Sequence, residues 1–428
     1  MGLTKFTQSD FTTLFNGNFS VVVVALSPLE KPFFQNRAGN NFVADILSNL
    51  VTGVGMKRIE MIQSNGYRYF PDLQLDYHFY EQIDGCEIVV HEKLVRFKLV
   101  NSYSSIETIP VDSEVFTVFV FITIEGGHSL NSNVYTAVTP EDILANVSTI
   151  KKWRYAPIFL TLAHHFQNHL TGHAQSLTGV IDWMTEQEAD LNGDLHPLGH
   201  KVITALLDDS SGQNRILIDI KHMSAVARRA YREILTKEYP NQVIPIIVSH
   251  GAMNGLVDSM SRKRSSIVGA SDFYEGDINF FDDEVVAIAK SGGVFGIQLD
   301  ERRVASKSRL KRSNLIFASR NKRLLAKSKL IWEQILYIAR VLDNESLPAW
   351  DIQVLGSDFD GIIDPINLFW TAEDIDDLER CLITHVSEFM ANESNVFKSF
   401  NRISVDEIVS KFIWRNAETF LKSLKGRV

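Results

Sequence analysis

Short, continuous apolar runs recur along the chain, each closed by a polar or charged group and most followed by a stretch of helical spacing. Phe19 to Leu26, Phe116 to Ile124, Ile158 to Ala163, Arg215 to Ile220, Val243 to His250, Gly293 to Leu299 and Asp351 to Leu355 read as strands. Their β-branched and aromatic residues run without the polar alternation of a half-exposed sheet, so both faces are expected to be covered. Met56 to Gln63 is an eighth candidate with a weak pattern, and Glu87 to His91 and Arg96 to Val100 are shorter strand-like pieces. Helices are expected at Asn41 to Leu50, Pro140 to Lys152, His196 to Leu207, Ser224 to Lys237, Asp282 to Ser291, within Leu310 to Leu342, and at Ala372 to Met390 and Ser404 to Leu424. Pro140 followed by Glu141 is a good helix start. Gly251 to Ile278 has no apolar period and reads as a long loop.

Strands alternating with helices predict a parallel sheet, and eight such units fit an α/β fold of the (β/α)8, TIM-like barrel class. A doubly wound open sheet is the competing layout, but its glycine-rich phosphate turn is missing. The expected organisation is one barrel domain over residues 1–428, with N-terminal insertions at about 64–115 and C-terminal helices at 372–424. A chain of 428 residues is long enough for one large barrel, and its 45% hydrophobic and 22% charged content is that of an ordinary globular protein.

The net charge of −9 is spread without a basic face or tail, which argues against nucleic acid as a partner. The basic segment from Arg302 to Lys329 has helical spacing and is expected to form a solvated face. Two cysteines, Cys86 and Cys381, are too few for a disulfide framework or a thiolate zinc site. Phe19 to Leu29 is too short to span a membrane and lacks the flanks of a signal peptide, so the expectation is a cytoplasmic protein with no membrane association.

The chemistry lies where the strands stop. Five apolar runs end in groups able to bind a metal or move a proton: Glu125, His164, His222, His250 and Asp358. A barrel would bring those ends to one rim, where active sites of this class are built. Imidazoles with a carboxylate make a normal ligand set for zinc or a similar divalent ion, whose bound water ionises near neutral pH. Metal-assisted hydrolysis follows from the residues alone. Other groups read as supports: His165, His169 and His173 on a polar loop, His128 orienting the Glu125 turn, and Asp360 bracing the loop at Asp358. Trp153 and Trp183 read as core packing, and the Lys221 stem as reaching out of the rim to water.

Ile124-Glu125-Gly-Gly-His-Ser-Leu130, Leu160-Thr-Leu-Ala-His164, Ile218-Asp-Ile-Lys-His222, Ile246-Ile-Val-Ser-His250 and Gly356-Ser-Asp358-Phe-Asp-Gly361 resemble, in order, the motifs of the membrane (renal) dipeptidase family. These are amidohydrolase-superfamily metallopeptidases on a (β/α)8 barrel, and the resemblance runs from about Phe116 to the C-terminus. It implies that Glu125 bridges two zinc ions, with His222 and His250 completing the second site. His164 would hold substrate and stabilise the oxyanion, and Asp358 would accept the proton of the attacking water. A dipeptide or related small-molecule substrate and a homodimer are implied with it.

Two departures qualify the resemblance. The family's first strand ends in His-x-Asp, where this chain has Ala25 and Ser27, and Glu30 would reach the site only by an unusual loop path. One or two divalent ions, or a metal-free site, are therefore open. The family's carboxylate-gripping arginine is replaced at its place by Ile278, leaving Arg262 and Arg264 of the preceding loop as candidate substrate-binding residues. Three functions remain: a zinc-dependent dipeptidase-like hydrolase, a catalytically impaired barrel acting as a binding protein, and a single-metal hydrolase of another acyl substrate such as a lactone.

Overall fold

Val115–Glu125 (β4) is the strand around which the first half of the chain is laid out. It is eleven residues long, and its second half is buried down to Glu125. Its length lets it pair with several neighbours in succession. Lys93–Leu99 (β3) runs parallel to its first half, Val21–Leu26 (β1) parallel to Phe119–Ile124, and Phe159–Thr161 (β5) meets only its last two residues. A computed structural model describes residues 7–35, 54–109, 114–177, 185–210, 212, 214–393 and 396–424. The helix expected at Asn41 to Leu50 and the side chain of Trp183 lie outside them. The described residues form two compact units, one within Ser20–Pro240 and one made of Thr7–Phe19 and Asn241–Ser423.

In the first unit, Glu87–Val90 (β2) and β3 lie at the two short strand-like pieces and form an antiparallel pair. Leu217–Asp219 (β6) extends the parallel order beyond β5. Met56–Gln63 is a helix, not a strand. Ile59 and Ile62 supply its wholly buried stripe, while Arg58 reaches Asp72 at 2.6 Å; a spacing of three fits a helix, and alternation would not have buried both. Helices Pro140–Lys151, Pro197–Leu207 and Ala225–Glu238 follow β4, β5 and β6 in turn. Tyr77 stacks on the half-buried Trp153 with ring centroids 3.9 Å apart, so this tryptophan packs as expected.

In the second unit, Ile247–Gly251 (β7), Val294–Ile297 (β8) and Gln353–Leu355 (β9) are parallel neighbours, with a register shift between Val248 and Gly251. Helix Asp282–Lys290 joins β7 to β8. The segment expected to hold long helical material contains Lys307–Ser313 and the twenty-five-residue Arg320–Asn344. Its basic residues do not all face solvent. Arg303, Arg309 and Lys327 are buried, Arg309 bonded to Glu333 at 2.7 Å and Lys327 to Glu301 at 3.1 Å. Helical spacing alone therefore misread this face, because paired cations can be taken inside while lone ones cannot. No helix among the described residues is long and apolar enough to cross a membrane.

Candidate metal centre

Register sets the floor of the site. Glu125 pairs with Thr161, and Thr161 with Asp219, so the last residues of β4, β5 and β6 stand level. The Thr161 hydroxyl donates to the buried Asp219 carboxylate at 2.6 Å, and Asp219 also accepts the Lys221 backbone N–H at 3.0 Å. Above this floor the chain leaves each strand and turns. Gly126 has φ +97°, a left-handed conformation that favours glycine, and a Cβ there would collide with the His128 ring. His222 also sits in the left-handed region, at φ +64°, an uncommon backbone state for a side chain of this size.

These turns bring Glu125 Oε1 to 3.3 Å from His222 Nε2 and 3.8 Å from His164 Nε2. Two donors each about 2.0–2.1 Å from a tetrahedral zinc stand roughly 3.3 Å apart, so the Glu125–His222 spacing fits a shared divalent ion. The donor chemistry fits too, a carboxylate oxygen with an imidazole nitrogen.

Glu30 is the residue that sequence reasoning undervalued. It is buried and its Oε2 lies 2.7 Å from His164 Nδ1. It also accepts the backbone N–H groups of His165 at 3.3 Å and Phe166 at 3.1 Å. The path that seemed unusual is held at every step. Ser27 donates to the Glu125 carbonyl at 3.2 Å, the Pro28 carbonyl is 2.8 Å from His128 Nε2, and Leu29 accepts from the Tyr67 hydroxyl at 3.0 Å. Lys31 then donates its backbone N–H to the Tyr69 hydroxyl at 3.0 Å and its ammonium to the Ser64 carbonyl at 2.7 Å. The only local hint was a glutamate between Pro28 and Pro32, directly after β1, a strand expected to be covered on both faces but buried only at Leu26.

The two carboxylates are shifted in opposite directions. Burial pushes the Glu125 carboxyl up; the charge of His164 and then of Lys221 pulls against this, while Asp219 and Glu30 add to it. Burial would raise Glu30 as well, but His164 and His128 outweigh it and hold that carboxyl well below the usual range. Lys221 was expected to reach out to water and instead is buried, 2% exposed. His165 is buried with Nδ1 2.6 Å from the Ser176 hydroxyl, and burial holds its imidazole well below its ordinary value. His173 is buried against the Ala189 carbonyl at 2.9 Å, whereas His169 is half-buried at φ +61°.

In the second unit, His250 Nε2 stands 3.6 Å from Asp358 Oδ2 and its Nδ1 2.9 Å from the Ser249 hydroxyl. Asp358 has φ +59°. Asp360 does brace that loop: it accepts the backbone N–H of Gln8 at 2.8 Å and of Ser9 at 3.1 Å. Arg262 and Arg264, the candidate substrate-binding residues, are exposed and ion-paired, Arg262 with Asp277 at 2.5 Å and Arg264 with Glu275. A guanidinium that sequence reasoning did not single out, Arg302, is bidentate to Asp300, and Asp358 contributes to its field.

No protein-family model matches this chain, and no curated protein matches it. Solved structures do share its fold. The probable dipeptidase PvdM from Pseudomonas aeruginosa is 13% identical with a TM-score of 0.54, over 99% of this chain and 90% of that one. A metallo peptidase from Rhodobacter sphaeroides, liganded with a phosphinate mimic of the dipeptide L-Ala-D-Ala, is 12% identical with a TM-score of 0.54, over 99% of this chain and 92% of that one. The metallo peptidase described as dipeptidase AC is 12% identical with a TM-score of 0.53, over 98% and 90%. At these identities the likeness is one of fold, and it gives the α/β, TIM-like barrel class that the strand–helix alternation predicts.

Proposed function

We propose that this protein is a metal-dependent hydrolase of small, dipeptide-like amides. The observation that carries the reading is Glu125 facing His222 at 3.3 Å and His164 at 3.8 Å from the ends of three neighbouring parallel strands. The names of the structures that share the fold, dipeptidases among them, support it. Glu125 and His222 would hold a divalent ion, for which zinc suits the donors. Such an ion supplies Lewis-acid polarisation and an acidic bound water.

The chain's own residues supply the rest. The 2.7 Å ion-pair contact between Glu30 Oε2 and His164 Nδ1 holds the ring, with Nε2 on the Glu125 side. With a proton on both nitrogens, His164 is a donor aimed where negative charge would develop on a substrate carbonyl. Asp358, within 3.6 Å of His250, has the motif position of a proton acceptor. Arg262 and Arg264 could grip a substrate carboxylate only by giving up Asp277 and Glu275. A substrate without a conventional dipeptide C-terminus therefore fits this chain better, and a lactone belongs on the same panel.

One observation favours the second reading, a barrel that binds and does not turn over. Buried Lys221 places a cation where its field already opposes the charge cost of Glu125. Metal analysis after zinc supplementation, with assays on dipeptides and lactones, separates the two. The hydrolase reading expects an ion at Glu125, lost in Glu125→Gln and kept in Asp358→Asn, with turnover lost in both. Absence of bound metal in the unaltered protein would sink it in favour of the binding barrel.

A further inference from the structure

His128 is held as part of a site, although the hydrolytic reading gives it no task. Its Nε2 lies 2.8 Å from the Pro28 carbonyl, an atom that can only accept, so Nε2 carries the hydrogen. The Tyr69 ring meets its face edge-on at 4.8 Å between centroids and prevents it from turning away. Its other nitrogen, Nδ1, is buried and has no hydrogen-bond partner among the described residues. That atom faces Glu30 Oε1 across 3.9 Å, with the two side chains 4% and 2% exposed. No N–H···O bond spans that gap, since such bonds end near 3.2 Å. A buried nitrogen facing a carboxylate oxygen in this way is costly, because no protein group satisfies it.

We infer that Glu30, His128 and His164 form a cation site of their own, suited to zinc or a similar first-row divalent ion. One ligand atom from each lies within 4.8 Å of the others. An ion about 2.0–2.2 Å from each donor needs them roughly 3.3 Å apart. The carboxylate spans the two rings, with Oε1 3.9 Å from His128 Nδ1 and Oε2 2.7 Å from His164 Nδ1, and the donors would draw together around an ion. Two imidazole nitrogens with one carboxylate oxygen select zinc, cobalt or nickel over magnesium or calcium, which prefer oxygen alone. The site is also kept open on the His128 side, because a Cβ at position 126 would collide with Cε1 and Nδ1 of that ring. On binding, the ion would take the place of a proton on His164 Nδ1, the atom 2.7 Å from Glu30. That proton leaves to solvent, and Nε2 keeps its own hydrogen.

This site shares His164 with the Glu125–His222 centre through the opposite ring nitrogen, and the experiment keeps the two distinct. Cobalt(II) is titrated into full-length Glu125→Gln protein and into the Glu125→Gln/His128→Gln double variant, with uptake followed by visible absorption and equilibrium dialysis. Gln at 128 can still donate to the Pro28 carbonyl, so the loop keeps its anchor. The expected result is one cobalt per chain in Glu125→Gln and an affinity on the order of tenfold weaker, or less, once His128 is replaced. Equal uptake with and without His128, or no uptake by Glu125→Gln, overturns the site. If the double variant does not fold, crystals of the unaltered protein grown with zinc decide the matter by an anomalous map at the zinc edge. A peak between Glu30 and His128 supports the site, and its absence there overturns it. Failure of the hydrolytic reading looks different: the unaltered protein then binds one ion, at Glu30, and none at Glu125.

Discussion

Half-buried Glu125 and buried Glu30 are carboxylates that face the same imidazole, His164, yet they come from opposite kinds of sequence. Glu125 ends an eleven-residue strand, so its position follows from the register of its neighbours. Glu30 sits in a loop between two prolines, and its position follows from hydrogen bonds made by residues far along the chain, Tyr67, Tyr69 and His128. Burial raises both carboxyls, but the charges around them lead to opposite outcomes. Burial drives Glu125 toward its neutral form, while Glu30 is held ionised by His164 and His128 around it. A strand end places a carboxylate; the groups a loop gathers around it decide its charge.

The largest expected effect tests whether the two carboxylates differ in role. Glu125→Gln removes a group at the reacting centre and should lower turnover by about 10²–10³-fold or more, the scale for groups acting on the reacting atoms. Glu30→Gln acts through the orientation of His164 and should cost on the order of 10–100-fold in kcat, the scale for partners of a working imidazole. Steady-state kinetics with metal content measured in parallel would check this. Equal losses with the Glu125 ion retained would remove the distinction and put Glu30 at the reacting centre itself.

The same contrast explains how much was legible in the chain. Strand positions from β4 to β9 and their terminal Glu125, His164, His222, His250 and Asp358 could be read because a buried strand cannot carry such groups inside its run. Met56–Gln63 could not, because eight residues with two apolar positions three apart are too short to separate the two periods. Glu30 and Lys221 were misjudged for one shared reason. Each is a charged residue beside a strand end, and only partners distant in sequence make its burial tolerable. For Lys221 the relevant neighbour is Glu125, and for Glu30 it is the trio of His164, His165 and Phe166.

A smaller effect sharpens the comparison through acid. Glu30 has a folded-state pKa below the unfolded value of about 4.3, so its contribution to stability is complete above roughly pH 5 and is lost as pH falls through the acid range. Glu125 has a raised pKa, so the cost of burying its charge is present at neutral pH and is relieved on acidification. Thermal unfolding of chelator-treated protein between neutral pH and pH 3 should therefore show a shallower acid loss in Glu30→Gln than in the unaltered chain. Glu125→Gln should show a steeper one. Parallel profiles for all three proteins would mean that His164 does not set the two carboxylates apart.

The smallest effect compares the supports beneath each carboxylate. Thr161→Val removes the 2.6 Å hydroxyl donated to buried Asp219, level with Glu125, and leaves a carboxylate short of a partner where water cannot replace it. A hydrogen bond to a charged group of this kind is worth about 1.5–3 kcal/mol. Ser176→Ala removes the hydroxyl 2.6 Å from His165 Nδ1 in the loop that donates to Glu30. Burial keeps that imidazole neutral, so the loss there should be about 1 kcal/mol, the scale for a neutral pair. Urea denaturation with unchanged m-values would measure both. A larger loss at Ser176 than at Thr161 would mean that the loop, and not the strand floor, is the more tightly fixed of the two regions. Glu30 would then be the better-anchored carboxylate, with Glu125 dependent on it through His164.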